Sequence, residues 1–365
     1  MPPRCCEGLF HVKPWRVEPR GRFEQQTIRS RVLEGNALGD PVERPLWVYL
    51  PPGVGDDPGR RHPSIYVIQG YTGQVDMWWN RTALRPTVPE LIDELFAGPE
   101  GSGEPRRGAP VDQVPPPAVV VLVDCWTSLG GSQFLNSPGT GRYLDYLCDE
   151  VVAFVDDRYP TLPAREHRGI AGKSSGGYGA MVAPMLRPDT FGGLASHAGD
   201  ALFEHCYLPD MAAATRALRD HYDGSYERFF DDFTARPAMS KEADGILLGI
   251  WAMAACYSAE PDGTVTLPFD PATGRLRDEV WARWLALDPV RMAAGHADQL
   301  RSLRGIYLDA GRRDQYWLDL GATAFSAELD ALGIEHVFEL FDATHSGIEY
   351  RYPAGLAFLA ERLGD

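Results

Sequence analysis

The sequence predicts an α/β fold in which a mostly parallel central sheet carries helices on both faces. Along the 365 residues, short apolar runs alternate with segments of helical periodicity, the pattern that strand–helix–strand crossovers produce. The run that ends at Asp124 is apolar without a break, as expected of a strand buried on both sides. A Gly-x-Ser-x-Gly sequence at 172–176 lies between an apolar run and a helical one, which indicates a sharp strand-to-helix turn.

The first half of the chain predicts strands that precede this turn and helices that cover them. β-branched and aromatic residues favour strands in the apolar runs, and Thr87 followed by Pro89 is typical of a helix start. The predicted elements are an irregular leader at 1–22, strands at 23–33, 44–50 and 64–69, a helix at 87–96, a surface loop at 98–117, a strand at 119–124 and a helix at 143–155.

Beyond the turn the same alternation continues, apart from one helix-rich stretch at 201–300. Within that stretch, residues 246–257 are apolar on nearly all sides, so a helix there must be buried. Two interpretations stay open: this helical insertion is a cap over the Gly-x-Ser-x-Gly turn, or its helices pack away from the turn. The other predicted elements are a helix ending near 187, strands at 191–197, 305–309 and 336–340, a helix at 316–332 and a closing helix at 353–363.

We expect residues 23–365 to form a single domain that contains this insertion, because open α/β enzymes of this length often share one core.

Ser174 stands at the apex of the turn, between glycines at 172 and 176 that leave room for it. A serine hydroxyl is a weak nucleophile at neutral pH, so it needs a base in hydrogen-bond reach and a third group that orients the base. On an α/β-hydrolase scaffold these groups follow in the order serine, acid, histidine. Asp314 and His345 lie on the loops after the last two predicted strands, so we expect the catalytic residues to be Ser174, Asp314 and His345.

Other interpretations of these residues are weaker. The letters Gly-Lys-Ser at 172–174 also end a phosphate-binding loop, but His167 stands where that loop requires glycine. An ordinary glycine-rich turn is the remaining alternative for the motif. Asp309 and Asp319 are alternatives for the acid, and His197 is an alternative for the base.

The oxyanion hole is expected to use backbone N–H groups. One is that of Ser175, the residue after the nucleophile, and the second comes from Tyr71 or Thr72 in the glycine-containing loop after the strand at 64–69. Several rings follow predicted strand ends and could line an apolar or aromatic substrate pocket, although core packing explains many such residues. The predicted substrate-binding residues are Trp78, Trp79, Trp126, His197, Tyr316 and Trp317.

Composition argues against several other partners. The formal charge is −16, with 51 acidic and 35 basic residues, so no broad basic face for nucleic acid or anionic lipid is expected. Neither a secretory leader nor a membrane-spanning run is apparent, and we expect a soluble cytoplasmic protein. The six cysteines show no zinc-binding spacing and most are expected to be buried thiols. We therefore expect no metal and no organic cofactor, and we leave open whether the chain forms a homo-oligomer.

At these residues the chain resembles the putative-esterase family of α/β-hydrolases, which includes esterase D (S-formylglutathione hydrolase), feruloyl esterases, enterochelin esterases and the mycolyltransferases. The resemblance covers about residues 40–200 and 300–363, and rests on the blocks at 46–53 and 159–180 and on the two closing loops. By matching position it implies Ser174 as nucleophile, Asp314 as acid and His345 as base. The chain departs from the family at Gln69, often histidine, and at Lys173 and Ser175, the latter often methionine.

Together these features predict a serine carboxylic-ester hydrolase that acts on a small-molecule ester through an acyl-enzyme. An acyltransferase would use the same residues and admit an alcohol in place of water. A non-catalytic binding protein on the same fold would need a broken triad, whereas all three members stand at the expected positions.

Overall fold

The computed structural model describes residues 18–82, 85–98, 114–237 and 239–364. Its centre is an eight-stranded sheet with strands in the order β1-β2-β4-β3-β5-β6-β7-β8. Strand β2 pairs antiparallel with β1 and β4, and the other neighbouring pairs are parallel. The strands are Arg22–Arg29 (β1), Glu43–Leu50 (β2), Ser64–Ile68 (β3), Val119–Val123 (β4), Arg168–Lys173 (β5), Gly193–His197 (β6), Gly305–Gly311 (β7) and Val337–Phe341 (β8).

The predicted α/β fold with a mostly parallel sheet is therefore confirmed. The first strand is shorter than predicted: it ends at Arg29, and the chain then turns. In that turn the Ser30 hydroxyl accepts a hydrogen bond from the Leu33 N–H at 3.2 Å, which holds these residues out of the sheet. Residues 1–17 of the predicted leader and residues 99–113 of the predicted surface loop lie outside the described residues.

Helices cover both faces of the sheet. In chain order they are α1 (Val88–Ala97), α2 (consecutive segments Tyr143–Asp145, Tyr146–Val151 and Val152–Arg158), α3 (Ser175–Leu186), α4 (Phe203–Cys206), α5 (Leu208–Tyr222), α6 (Tyr226–Thr234), α7 (Asp244–Tyr257), α8 (Asp278–Leu285), α9 (Pro289–Met292), α10 (Ala297–Arg301), α11 (Leu318–Ala331) and α12 (Tyr352–Leu363). The start of α1 is as predicted, because Thr87 and Glu90 exchange the reciprocal hydrogen bonds of a capping box.

Alternation along the strands divides the core between the two faces. In β3, Ile65 and Val67 pack with α1 and α12, whereas Tyr66 and Ile68 pack with α2, α3 and the insertion. Helices α4 to α10 make up most of the insertion, and α7 is the buried apolar helix that the sequence predicted, with Leu247 and Ile250 inside. In the described part of the chain, no helix has the length and apolar character needed to cross a membrane.

Four of the six cysteines lie in described segments, and all four are buried free thiols, as predicted: Cys125, Cys148, Cys206 and Cys256. Burial raises the pKa of Cys148 and of Cys256 to about 12, so these thiols stay protonated and unreactive near neutral pH.

A buried charged network ties strands β6 and β7 to the segment before α12. The Asp309 carboxylate contacts His197 Nδ1 at 2.7 Å and accepts from Arg351 Nε at 2.8 Å and Tyr307 OH at 3.2 Å. Burial by itself raises the pKa of Asp309, but His197 and Arg351 hold the net pKa below its usual range.

We expect Arg351→Met to lower the free energy of unfolding by about 3–5 kcal/mol, because the variant leaves the buried Asp309 carboxylate without its cation. Urea denaturation at pH 7 measures this loss. In the wild type, the stabilisation that a depressed carboxyl pKa provides is complete above about pH 4 and is lost as the pH falls through the folded-state pKa. The difference between variant and wild type should therefore shrink under acid conditions.

Arg313→Met is the matched control, since Arg313 pairs with Asp342 at 2.9 Å on the exposed surface. Its effect should stay within about 0.5 kcal/mol. Equal losses in the two variants would contradict a stabilising role for the buried network.

Candidate active site

Ser174 occupies the turn between β5 and α3, as the sequence predicted. Its backbone has φ 60° and ψ −128°, and a positive φ is uncommon for a residue with a side chain. Two backbone bonds hold it there: Ser174 N–H donates to the His197 carbonyl at 3.0 Å, and Tyr178 N–H donates to the Ser174 carbonyl at 2.9 Å. The strained turn thus places the serine between the carboxyl end of a central strand and the start of a helix.

The flanking glycines are required by close backbone contacts. A Cβ atom on Gly172 would lie 2.3 Å from the carbonyl oxygen of Gly176, and one on Gly176 would lie 2.4 Å from that of Ile68. In each case the neighbour is main chain and cannot rotate away as a side chain can. The predicted need for small residues on both sides of Ser174 therefore has a direct steric cause.

We expect Gly172→Ala to destabilise the fold by about 3 kcal/mol and to reduce any turnover about a hundredfold, because the elbow must open to admit the methyl group. Thermal denaturation and ester hydrolysis measure the two effects. Gly295→Ala is the control, since a Cβ there meets no atom within 4 Å. Comparable behaviour of the two variants would argue against steric control of the turn.

Asp314 and His345 meet on the loops after β7 and β8. Asp314 Oδ2 lies 2.8 Å from His345 Nδ1, and Asp314 Oδ1 accepts from the Tyr316 N–H at 2.9 Å. Both side chains are buried, with Asp314 4% and His345 8% exposed. Gln315, which the sequence did not single out, accepts a hydrogen bond from the His345 N–H at 3.1 Å. The imidazole is thus held from one side with its Nε2 directed away from the carboxylate.

A cavity of about 980 Å³ brings the predicted site residues together. Ser174, His345, Tyr71, Thr72 and Ser175 all line it. Its walls come from the loop after β3, the turn before α3, the loops after β7 and β8, and helices α4, α5 and α7 of the insertion. Helices of the insertion therefore form one wall of the space above Ser174.

The expected oxyanion-hole residues border this cavity. Ser175 is the first residue of α3, so its N–H has no acceptor within the helix. On the facing loop, Gly70 approaches closely: a Cβ there would lie 3.5 Å from Ser174 Cβ. Thr72 has φ 65°, and among the described residues no acceptor pairs with the N–H of Tyr71 or Thr72.

Gln69 anchors the start of this loop. Oriented so that both ends of its amide are satisfied, it donates to the Val123 carbonyl at 2.9 Å and accepts from the N–H groups of Cys125 and Trp126. The departure from the histidine common in the family thus leaves a residue that fixes the loop through the end of β4.

Two of the six predicted substrate-binding residues, Trp78 and Tyr316, line the cavity. Trp78 is 4% exposed and packs edge-on against Tyr352, with ring centroids 5.5 Å apart. Tyr316 is 49% exposed and lies edge-on to the His345 ring at 5.1 Å. Trp78 therefore closes the inner wall, and Tyr316 stands at the entrance beside the imidazole.

Trp79 and Trp126, which were also predicted to bind substrate, lie outside the cavity lining. Trp79 is half-buried and packs against Phe23 and Trp47 of the outer strands β1 and β2, with ring centroids 5.0 and 4.9 Å away. Trp126 begins a two-residue hairpin, and its carbonyl accepts from the Tyr143 hydroxyl at 3.2 Å. Each tryptophan follows the end of a strand in the sequence, but the segment that carries it turns toward the β2 side of the sheet.

His197 and Trp317 are also outside the cavity lining. Alternation in β6 places His197 on the face that α12 covers, where its ring contacts Tyr352 at 5.1 Å and it bonds Asp309. Helix α12 packs closely against this ring, since a Cβ on Gly355 would lie 2.7 Å from His197 Nε2. His197 is therefore not placed to act as the base. Trp317 adopts φ 62° before α11 and is 51% exposed.

The structure adds a charged cluster beside Ser174 that the sequence did not predict. Lys173 Nζ lies 2.9 Å from Glu349 Oε1, and Arg85 Nη1 lies 3.8 Å from Glu349 Oε2. Burial raises the pKa of Glu349, but Lys173 brings the net pKa below its usual value. Lys173 and Glu349 are 176 positions apart and no local pattern joins them, so only the folded chain could pair them.

Asp200 is a further residue of the cavity lining that the sequence analysis did not single out. It follows β6, is 7% exposed and accepts a hydrogen bond from the Ser175 hydroxyl at 3.3 Å. An acid just beyond the carboxyl end of a predicted parallel strand is the signal that could have identified it, since ligands bind at that edge of such sheets.

The fold and the arrangement around Ser174 define an α/β-hydrolase. A family model described as putative esterase matches residues 132–351. That match spans more than half of the chain, and the protein belongs to this esterase family, in agreement with the resemblance seen in the sequence.

Solved structures with the same fold include three hydrolases. A ferulic acid esterase superposes with a TM-score of 0.57 at 16% identity, covering 93% of this chain and 98% of its own. The S-formylglutathione hydrolase of Agrobacterium tumefaciens gives 0.55 at 16% identity, covering 96% and 98%. The fluorophosphonate-binding serine hydrolase FphF of Staphylococcus aureus gives 0.53 at 14% identity, covering 94% and 99%. At these identities the likeness establishes the fold.

A relative in sequence is the uncharacterized protein YbbA of Bacillus subtilis (strain 168), 24% identical over 165 residues. The aligned region is 44% of this chain and 59% of the length of YbbA.

Proposed function

We propose that this protein is a serine carboxylic-ester hydrolase in which Ser174, His345 and Asp314 act as nucleophile, base and orienting acid. The observation that carries the proposal is the 2.8 Å contact between Asp314 and the Nδ1 side of His345, on loops that border the same cavity as the strained Ser174. Membership of the esterase family supports ester hydrolysis as the reaction class.

In the proposed mechanism His345 Nε2 removes the proton from the Ser174 hydroxyl as its oxygen attacks the ester carbonyl carbon. The carboxylate of Asp314 keeps the proton on Nδ1 and stabilises the imidazolium that forms. Expulsion of the alcohol, which takes the proton from His345, leaves an acyl group on Ser174. Water then attacks this acyl-enzyme with His345 again as base, and releases the acid.

Hydrogen bonds from backbone N–H groups would stabilise the negative charge of each tetrahedral intermediate. The donors would be the N–H of Ser175 and that of Tyr71 or Thr72 in the Gly70 loop, and all three residues line the cavity with Ser174. Such preorganised donors stabilise an oxyanion without having to reorient during the reaction, and the loss of one typically costs about a hundredfold or more in turnover.

We also infer that the insertion shapes the substrate pocket. Its helices contribute Ile246, Ile250 and Met253 to the cavity wall that faces the Ser174 loop. These apolar groups favour a hydrophobic part of the substrate on that side. Helix α7, which carries all three, is buried on most sides and therefore offers a rigid wall.

Labelling with a fluorophosphonate tests the proposed function. The probe reacts with a serine that a neighbouring base has activated, and peptide mapping identifies the residue that carries the phosphonate. We expect one equivalent of label on Ser174 and parallel loss of hydrolysis of p-nitrophenyl esters. Label on a different serine, or hydrolysis that persists in fully labelled protein, would contradict the assignment.

A further inference from the structure

A buried acid beside the nucleophile is available to a substrate. Asp200 Oδ2 accepts hydrogen bonds from the hydroxyls of Ser175 and Tyr207, at 3.3 and 3.0 Å, and from Gln133 Nε2 at 3.2 Å. All three donors reach the same oxygen. Among the described residues no donor reaches Oδ1, although the side chain is more than nine-tenths buried and borders the cavity.

The surroundings fix this carboxylate in place. Tyr207 OH also lies 3.1 Å from Tyr257 OH, which in turn accepts from Gln133 Nε2 at 2.9 Å, so the donors form a closed network. Tyr207 and Tyr257 come from the insertion, whereas Ser175 belongs to the turn that carries the nucleophile. Burial raises the pKa of Asp200, and the hydrogen bonds from Tyr207, Gln133 and Ser175 reduce this rise without cancelling it.

The cations of the cavity lining are engaged elsewhere. Lys173 and Arg85 both face Glu349. An anionic substrate group next to Asp200 would therefore meet a carboxylate with no cation to offset it. An apolar group there would leave Oδ1 buried without a partner, which is unfavourable for a charged acceptor. A hydroxyl or an ammonium group would satisfy it.

We propose that Asp200 is a specificity-determining residue that accepts a hydrogen bond from the substrate, and that the preferred substrates are esters with a hydroxyl or ammonium group a few bonds from the scissile carbonyl. This inference rests on the proposed ester hydrolysis at Ser174. A site built to bond a donor discriminates strongly against the analogue that lacks it, because the buried acceptor is then left unpaired.

Two matched ester series test the proposal. In one the alcohol is p-nitrophenol and the acyl chain ends in methyl, hydroxyl or ammonium at each of several chain lengths. In the other the acyl group is acetyl and the alcohol carries the same three endings. We expect at least about a tenfold larger kcat/KM for a donor-ended member in one of the series. The series in which the donor-ended ester is preferred shows whether the donor lies on the acyl or the alcohol side of the substrate. The better of its two donor-ended members shows whether Asp200 prefers a hydroxyl or an ammonium group.

Asp200→Asn should remove the preference for an ammonium ending and weaken the preference for a hydroxyl ending, because the asparagine oxygen would take the three donors and its NH₂ would face the cavity. Ammonium-ended esters, which cannot accept a hydrogen bond, should lose most. Tyr207→Phe removes one donor to Oδ2 and should weaken the preference by a smaller factor, which provides a second measurement if Asp200→Asn fails to fold. Asp210→Asn, on the same cavity, is the control and should keep the wild-type preference.

A wild-type ratio near one in both series would overturn the inference, and so would a preference that is unchanged in Asp200→Asn or falls equally in Asp210→Asn. Fluorophosphonate labelling of the wild type distinguishes failure of the inference about Asp200 from failure of the proposed function at Ser174. Labelled, active protein without donor preference contradicts only the role of Asp200. Protein that neither labels at Ser174 nor cleaves any ester contradicts the proposed function as well.

Discussion

Replacement of Ser174 by alanine is expected to lower kcat/KM for p-nitrophenyl esters by roughly 10⁴-fold or more and to abolish fluorophosphonate labelling. The variant loses the oxygen that would form the acyl-enzyme, whereas the backbone donors and the cavity walls remain. Some acceleration over the uncatalysed reaction should persist for that reason. Initial rates and gel fluorescence measure the two outcomes.

Ser302→Ala is the control for this substitution. Its hydroxyl lies at the surface, where it accepts from Arg165 Nη2 at 3.2 Å, and none of the cavity contacts involves it. We expect unchanged turnover and labelling. Retention of more than about a tenth of wild-type activity in Ser174→Ala, with the protein folded, would mean that a different group attacks the ester.

Asp314→Asn should reduce kcat by roughly 10⁴-fold while the protein stays folded. The asparagine NH₂ would favour the tautomer of His345 that has its proton on Nε2, and this form cannot accept the proton of Ser174. The amide would also give less stabilisation to the imidazolium. Steady-state kinetics, with circular dichroism to verify folding, measure this effect.

Asp342→Asn is a matched comparison, because Asp342 lies on the loop that leads to His345 but its carboxylate is exposed and paired with Arg313. Its substitution should change turnover less than about threefold. If Asp314→Asn were equally mild, the acid that orients His345 would have to be another residue. Asp309, which the sequence offered as an alternative acid, already bonds His197 and Arg351.

Most elements of the sheet and the turn at Ser174 could be predicted from the sequence, because their signals are local. Each signal comes from residues close together in the sequence. Examples are an apolar run buried on both faces, a capping box at Thr87 and paired glycines around a serine. Chain order on this fold then selected Asp314 and His345, and the structure brings them within 2.8 Å. Strand ends were less accurate where a side chain such as Ser30 redirects the backbone.

The sequence by itself therefore determined the class of fold, the position of the turn at Ser174 and the two loops that carry the proposed acid and base. Only the tertiary structure decided which rings border the cavity, that the insertion forms one of its walls, and that Lys173 meets Glu349 and Ser175 meets Asp200. The physical reason is the range of the interactions. Periodicity and turn chemistry act over a few residues, whereas these contacts join positions 25 to 176 apart and depend on the direction in which each strand end turns.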